Sequence, residues 1–309
     1  MKNQKTAIVL ALLSVLLWST VATAFKLALQ NFSPFQLIFV AAIVSLIFFL
    51  AAVLVTGRWS EFKQISASQL GHSAMQGFLN PFLYYLLLFK AYSLNPAQVT
   101  QALNMVWPVT LALLSVPLLG QKLSWKNLVA ICCSFAGVVF ISSQGGVEGF
   151  ARTNTLGALL ALGSSVVWSL YWIFSTRDTR DRLVVLSWNF IFGLVFLVAY
   201  SFFEPGAFHI SWTGQSFWAA VYVGLFELGV TYILWIYALH KSVNNAVIGN
   251  FVFLSPFISL VFIYFILHET IYTTTFIGLS FIILGILIQQ VRLRFPKFLR
   301  GLLSFQLKN

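Results

Sequence analysis

A chain of 309 residues with 60% hydrophobic and only 8% charged residues lies far from a soluble domain, which carries about 25% charged residues. The composition is that of an integral membrane protein with several spans. A net charge of +11 would suit a nucleic-acid binder if the cations clustered on one face, but here they are scattered between apolar runs, and no nucleic-acid partner is expected.

Apolar stretches of about 20 residues, long enough to cross about 30 Å of hydrocarbon as helices, cover 7–29, 35–56, 68–92, 97–118, 125–143, 156–176, 183–203, 214–239, 245–267 and 273–291. They predict an all-α protein of ten transmembrane helices. Their length and continuity exclude a transmembrane β-barrel, whose strands alternate over about ten residues.

The first stretch follows Lys2 and Lys5 and reaches Ala22-Thr23-Ala24, which imitates a cleaved signal peptide. Its segment LALLSVLLWS (10–19) returns as LALGSSVVWS (160–169) in the sixth stretch, so a retained helix is expected. The third stretch carries Asn80, Pro81, Tyr84 and Tyr85 near its middle. In the fourth, Gln98, Gln101, Asn104 and Pro108 fall at spacings of three, three and four, along one helix face. A polar stripe is costly against lipid, so it should face a cavity or neighbouring helices. Pro108 and Pro81, and Pro256 in the ninth stretch, each remove a backbone donor and are candidate kinks or gates.

The fifth stretch holds Cys132 and Cys133, adjacent on one helix and about 100° apart, unsuited to a mutual disulfide or a metal site. His72, His209, His240 and His268 show no ligand spacing. No metal or other cofactor is expected. Among seven acidic residues only Glu227, in the eighth stretch, lies near the centre of a span. An acid there is costly to ionise and is a candidate for binding a substrate amino group or exchanging a proton. Trp18, Trp107, Trp168, Tyr84, Tyr85, Tyr171, Tyr232 and Trp235 lie deep in their stretches and could stack on an apolar or aromatic substrate or simply fill the core.

Charge placement sets the orientation. With the N-terminus in the cytoplasm, fifteen of the eighteen Lys and Arg residues fall on that side, leaving Lys26, Lys90 and Arg152 opposite. This asymmetry follows the positive-inside rule and an even number of spans, with both termini cytoplasmic. The tail RLRFPKFLRG (292–301) is expected to rest on anionic headgroups of the lipid bilayer.

The LALLSVLLWS echo extends to the whole chain. Trp18-Ser19 align with Trp168-Ser169, Gly77 with Gly224, Asn80 with Glu227, Tyr85 with Tyr232, Pro108 with Pro256, Gln121 with Glu269, and Gly137 with Gly285. Two units, 1–146 and 147–309, result. Five helices in each makes the repeat inverted, which predicts alternating access to a midplane site. The pairing also places Asn80 opposite Glu227 across the pseudo-symmetry axis.

The LWST of the first stretch, Asn104-x-x-Trp107-Pro108 in the fourth with GQKLSW (120–125) closing it, and LHE (267–269) after the ninth resemble the drug/metabolite transporter superfamily and its EamA-like branch. Within that branch they look most like the bacterial aromatic amino-acid exporters. The resemblance covers nearly the whole chain and implies ten helices in two inverted five-helix repeats. It also implies a secondary transporter in the bacterial inner membrane that exports small amphipathic metabolites, amino acids above all. In that superfamily the fourth and ninth helices commonly finish near a glutamate; Glu269 retains it and Gln121 replaces it.

The substrate-binding candidates are thus Trp18, Asn80, Tyr84, Gln101, Asn104, Trp107, Trp168, Tyr171, Glu227 and Tyr232. No G-x-x-x-x-G-K-[ST] loop is present, so proton coupling or exchange is the expected driving force rather than ATP. Nothing in the sequence sets an oligomeric state. The competing readings are an importer or exchanger of a methyl donor, a nucleotide or sugar derivative or a drug-like cation; a non-transporting scaffold or channel; and an intramembrane enzyme, which would need clustered acids or histidines.

Overall fold

A computed structural model describes residues 2–121, 125–243 and 245–290. The basic tail and Lys122 lie outside the described residues. Among the described residues there is no strand, and the helices are α1 (Gln4–Ala28), α2 (Pro34–Val55), α3 (Trp59–Lys63), α4 (Ala67–Gly77), α5 (Tyr84–Leu94), α6 (Ala97–Asn104), α7 (Trp107–Leu119), α8 (Trp125–Ser142), α9 (Thr155–Ser175), α10 (Arg182–Ser201), α11 (Gln215–Tyr222), α12 (Val230–Lys241), α13 (Asn245–Asn250), α14 (Ser255–Leu267) and α15 (Thr273–Gln290).

Local chemistry sets the helix ends. Ser33 and Gln36 close a capping box at α2, with Pro34 in its first turn, and Ser66 and Gln69 do the same at α4, each pair satisfying backbone donors that the first turn leaves open. Asn154 and Asp181 cap α9 and α10. Gly120 ends α7 in the left-handed conformation, φ 65.

Eight helical stretches among the described residues are long and apolar enough to cross a bilayer: Gln4–Ala28, Pro34–Val55, Ala97–Leu119, Trp125–Ser142, Thr155–Ser175, Arg182–Ser201, Gln215–Lys241 and Ile248–Leu267. Two predicted spans look different. The stretch predicted over 68–92 is two eleven-residue helices, α4 and α5, on either side of an opened turn. The last contributes a shorter apolar helix, Thr273–Ile288. Large apolar side chains such as Ile47, Phe135, Leu159 and Phe265 are exposed, as expected of helices whose outer faces meet lipid tails.

A large apolar core runs through the bundle, with two smaller clusters around Ala7 and Ala238 and around Val53 and Val184. Helix α1 packs against α11, α12 and α14, α2 against α10 and α11, α10 against α4, α9 against α5 and α7, and α8 against α15. The two ends of the bundle are fastened differently. At one end Lys26 Nζ donates to the Tyr92 and Asn95 carbonyls, at 3.0 and 3.1 Å, Asn31 Nδ2 donates to Ser216 Oγ, and the Gly145 amide donates to Thr274 Oγ1. The other end holds two separate groups. In the first, the Asn3 amide donates to the Lys241 carbonyl and the Val243 amide to Gln4 Oε1. In the second, Arg58 pairs with Asp181 at 2.6 Å, and Gln76 donates to Asp178. Among the described residues no hydrogen bond or ion pair joins these two groups.

Candidate functional site

The middle of the bundle is where helices break. Proline lacks an amide donor and disfavours helical geometry in the residue before it. Asn80, ahead of Pro81, accordingly sits at φ −146, ψ 118 inside the π-helical turn Phe78–Leu83; its peptide bond to Pro81 is cis. Gly193 of α10 makes room for the proline ring, since a Cβ there would lie 2.5 Å from Pro81 Cγ. The fourth stretch breaks at Met105–Val106, between α6 and α7, with Pro108 in the first turn of α7. Pro256 occupies the same place in α14, after the 3-10 turn Phe251–Leu254.

A second π-helical turn, Val223–Glu227, interrupts 215–241. Gly229 follows at φ −112, ψ −96, outside the helical region. Gly224 in this turn lies so close to α2 that a Cβ would come within 2.6 Å of the Ala41 carbonyl oxygen. The Thr231 hydroxyl bonds the Phe226 carbonyl, taking up an acceptor that the broken ladder releases. Single π turns of this kind recur at functional sites. Here the turn carries Glu227.

Glu227 Oε1 accepts a hydrogen bond from the Tyr85 hydroxyl at 3.0 Å, and its Oε2 is buried with no hydrogen-bond partner. Around it runs a chain of rings: Tyr85 against Tyr84 at 4.7 Å, Tyr84 stacked on Trp168 at 4.6 Å, Trp168 edge-on to Tyr232 at 6.4 Å, Tyr232 to Trp18 at 6.5 Å, and Trp18 to Trp235 at 5.2 Å. All fall within the range of favourable ring pairs. Trp18, Trp168, Glu227 and Tyr232 are only partly buried, whereas Tyr84 and Tyr85 are fully inside. The chain therefore has a closed tyrosine end and an accessible tryptophan end.

Asn104 joins the site from α6: its Oδ1 accepts from the Tyr84 hydroxyl at 3.3 Å, and its Nδ2 donates to Ser164 Oγ at 2.9 Å. Trp107 enters through its backbone, its carbonyl accepting from Thr110 and Ser169 hydroxyls at 2.9 Å each. Gln101 is buried on α6. The polar stripe does not line a cavity along its whole length. Gln98 donates to the Thr270 carbonyl at 2.7 Å and accepts from Thr275 at 2.8 Å, so that end of the stripe is interhelical packing.

Asn80 and Glu227, expected to face each other across the axis, share no hydrogen bond. Tyr85 is the partner of Glu227. Asn80 is 2% exposed, its Oδ1 is unpartnered, and its polar neighbour is the Tyr171 hydroxyl, which also lies near Ser175 and Asn189. Tyr171 consequently belongs half to the ring cluster, through Trp168 at 5.6 Å, and half to this second polar group. Trp172, Ser164 and Asn189 were not singled out from sequence; only the i+4 spacing of Trp168 and Trp172 hinted at the former.

At the fastened end Glu269 caps α6, accepting from the Ala97 and Gln98 amides at 2.8 and 3.4 Å. It therefore ties the end of one helix to the start of another. Gln121 is exposed. A depression of about 250 Å³ beside Glu269 is lined by Lys26, Gln30 and Tyr92 among others; its lysine and carboxylate are already engaged. Among the described residues no cluster of His, Cys, Asp or Glu could hold a metal ion.

Similarity to known proteins is broad and low in identity. The chain is 25% identical over 273 residues to an uncharacterized transporter of Archaeoglobus fulgidus, covering 86% of this chain and 91% of that protein. It is 27% identical over 294 residues to an uncharacterized transporter of Clostridium kluyveri, covering 92% and 93%. Over 156 residues, half of this chain and 53% of the relative, it is 27% identical to the aromatic amino acid exporter YddG of Ancylobacter novellus. A crystal structure matches 99% of this chain and 100% of its own with a TM-score of 0.63 at 20% identity, a likeness of fold. Residues 5–143 and 155–289 both match the sequence profile of the EamA-like transporter family, and with nearly the whole chain accounted for in this way, the protein belongs to that family.

Proposed function

We propose that this transporter exports small amphipathic metabolites with an ammonium head and an apolar or aromatic body, amino acids first among them, across the bacterial inner membrane by alternating access. The observation that carries the reading is Glu227: a mid-span acid, placed by a π turn among stacked rings, with one carboxylate oxygen unpartnered. The likeness to an aromatic amino acid exporter points the same way.

Ten spans follow if 67–94 and 273–290 are counted with the eight longer stretches. The broken stretches are then the third, fourth, eighth and ninth, equivalent positions in two inverted halves, 1–146 and 147–309, and discontinuous helices in such positions are where transporters of this architecture bind substrate. The packing agrees with the repeat. Gly77 of the third stretch lies against α10, the seventh, and its equivalent Gly224 of the eighth lies against α2, the second.

With both termini cytoplasmic, the fastened end of the bundle is the outer one, and the end with two unjoined groups opens to the cytoplasm. Loading then proceeds from the cytoplasm past Trp235 and Trp18. Exchange of a substrate or a proton for the next one supplies the driving force. Counterflow in proteoliposomes tests the reading: saturable uptake of labelled tryptophan or phenylalanine against unlabelled amino acids supports it, and folded protein that exchanges no amino acid overturns it.

A further inference from the structure

A second polar group reaches the Trp168 ring through Tyr171, as Glu227 reaches it through Tyr85 and Tyr84. Its hydrogen bonds run in one direction. Asp178, ionised and paired with Arg180 at 2.6 Å, can only accept. Gln76 therefore turns its amide nitrogen to Asp178, at 3.1 Å, and its amide oxygen to Asn189 Nδ2, at 3.2 Å. Asn189 has thus committed its nitrogen, and its Oδ1 is left buried with no hydrogen-bond partner. Asn80 Oδ1, on a side chain 2% exposed, is in the same condition. Both amides lie beside the Tyr171 hydroxyl, whose single hydrogen can satisfy one of the two oxygens and not both.

We infer that Asn80 reads a hydrogen-bond donor on the ring of the substrate, so that indole and phenol bodies are preferred and a plain phenyl body is a weaker ligand. This rests on the transport reading above, in which the ammonium goes to Glu227 and the ring into the aromatic cluster. Ser164, Trp168, Tyr171 and Ser175 fall at spacings of four, three and four along one face of α9. Trp168 stacks on Tyr84 at 4.6 Å and on Tyr171 at 5.6 Å, with 29° between the planes in both pairs. A flat ring laid in this row with its ammonium at Glu227 has the Tyr171 group at its far edge. With the Tyr171 hydrogen given to Asn189, an N–H or O–H on that edge supplies the donor that Asn80 Oδ1 lacks. A site built around a hydrogen bond rejects an analogue without the donor more strongly than an apolar pocket rejects a missing methylene. A buried water is the competing partner for these oxygens, and it would leave the site indifferent to a ring donor.

Two ligand pairs that differ only in the ring donor test this by equilibrium binding to the purified protein: tryptophan against β-(3-benzothienyl)alanine, and indole against benzothiophene. Sulfur in place of N–H keeps the ring shape and makes it more apolar, so an advantage for the N–H member cannot come from the hydrophobic effect. Tryptophan and indole are expected to bind ~10-fold tighter than their sulfur partners, the size of a net hydrogen bond. Asn80→Leu should close the gap by weakening the N–H members alone, whereas a misfolded variant would lose all four ligands; Asn80→Asp, which keeps an acceptor, should retain the gap. Equal binding within both pairs on the wild-type protein, undetectable binding included, overturns the inference, as does an undiminished gap in folded Asn80→Leu. If tryptophan and its sulfur analogue exchange equally well in counterflow, the inference falls and the exporter reading stands. If indole outbinds benzothiophene while no amino acid exchanges, the inference stands and the amino-acid part of that reading falls.

Discussion

The Tyr85 hydroxyl meets Glu227 Oε1 at 3.0 Å across 142 positions of sequence, one bond joining the turn-broken stretch 67–94 to the turn-broken stretch 215–241. A hydrogen bond contributes about 0.5–1.5 kcal/mol, and about 1.5–3 kcal/mol where one partner is charged. Tyr85→Phe removes it while keeping the ring contacts with Tyr84 and Phe89. The expected result is a lowered melting temperature in detergent with transport retained at reduced affinity, whereas Glu227→Gln keeps a hydrogen-bonding partner for Tyr85 and loses saturable transport. Equal flux from wild type and Glu227→Gln would remove Glu227 from the mechanism.

Glu269 binds the first two amides of α6, combining an N-cap with a negative charge at the positive end of a helix. Losing such a cap costs about 1–2 kcal/mol, and the charge adds about 0.3–1 kcal/mol. Glu269→Ala should loosen the fastened end and Glu269→Gln should do so less. Hydrogen exchange at Ala97 and Gln98 reads this directly: unchanged protection in Glu269→Ala would show that Gln98, through Thr270 and Thr275, holds this end by itself.

The all-α membrane class was legible because composition and run length leave few alternatives, and run length also put the second and sixth stretches, from 35 and 156, within one residue of the starts of α2 and α9. Glu227 stood out as a lone acid in a lipid-length stretch. Its partner did not. Aligning the two halves of the sequence sets Asn80 against Glu227, but Asn80, held outside helical geometry at the Pro81 break, lies beside Tyr171 instead. The π turn at Val223–Glu227 leaves no mark in a stretch free of proline. The Ser73–Arg180–Asp178–Gln76–Asn189 network joins a loop to two helices more than a hundred residues apart in sequence, beyond the reach of local pattern.

That network carries a pH dependence. Burial alone would raise the Asp178 carboxyl, but hydrogen bonds and charge from Arg180, with the Gln76 amide, outweigh it and hold the group below the usual carboxylate range. A carboxylate with a depressed folded-state value stabilises the fold above its unfolded value, about 3.9, and the contribution disappears as pH falls through the folded value. Asp178→Asn should therefore be destabilised at pH 7, by about 1.5–3 kcal/mol, because Arg180 keeps its bond to Ser73 but loses its charged partner. The gap from wild type should shrink as pH is taken below about 4. Unfolding midpoints of both proteins from pH 7 to pH 3 decide it, and a gap that stays constant would mean that the network is held by shape rather than charge.

Helices α8 and α15 meet through glycine. A Cβ on Gly137 would lie 2.5 Å from the Gly278 carbonyl oxygen and 2.6 Å from Ile282 Cγ1, and one on Gly278 would lie 2.5 Å from the Gly137 carbonyl oxygen. Lipid tails are as apolar as leucine, so helices in a bilayer associate through close packing, which small residues permit. An added methyl cannot be relieved by a side-chain rotation here, since the opposing atom is backbone. Gly137→Ala and Gly278→Ala should each cost about 1–3 kcal/mol, the range for overpacking. The contact is shared, so the double variant should cost less than the sum of the two. Because α8 and α15 carry none of the ring cluster, substrate affinity should be preserved in whatever fraction remains folded. Melting curves and ligand-binding isotherms on the same preparations separate the two effects; a loss of affinity without a loss of stability would place this helix pair in the transport cycle rather than in the scaffold.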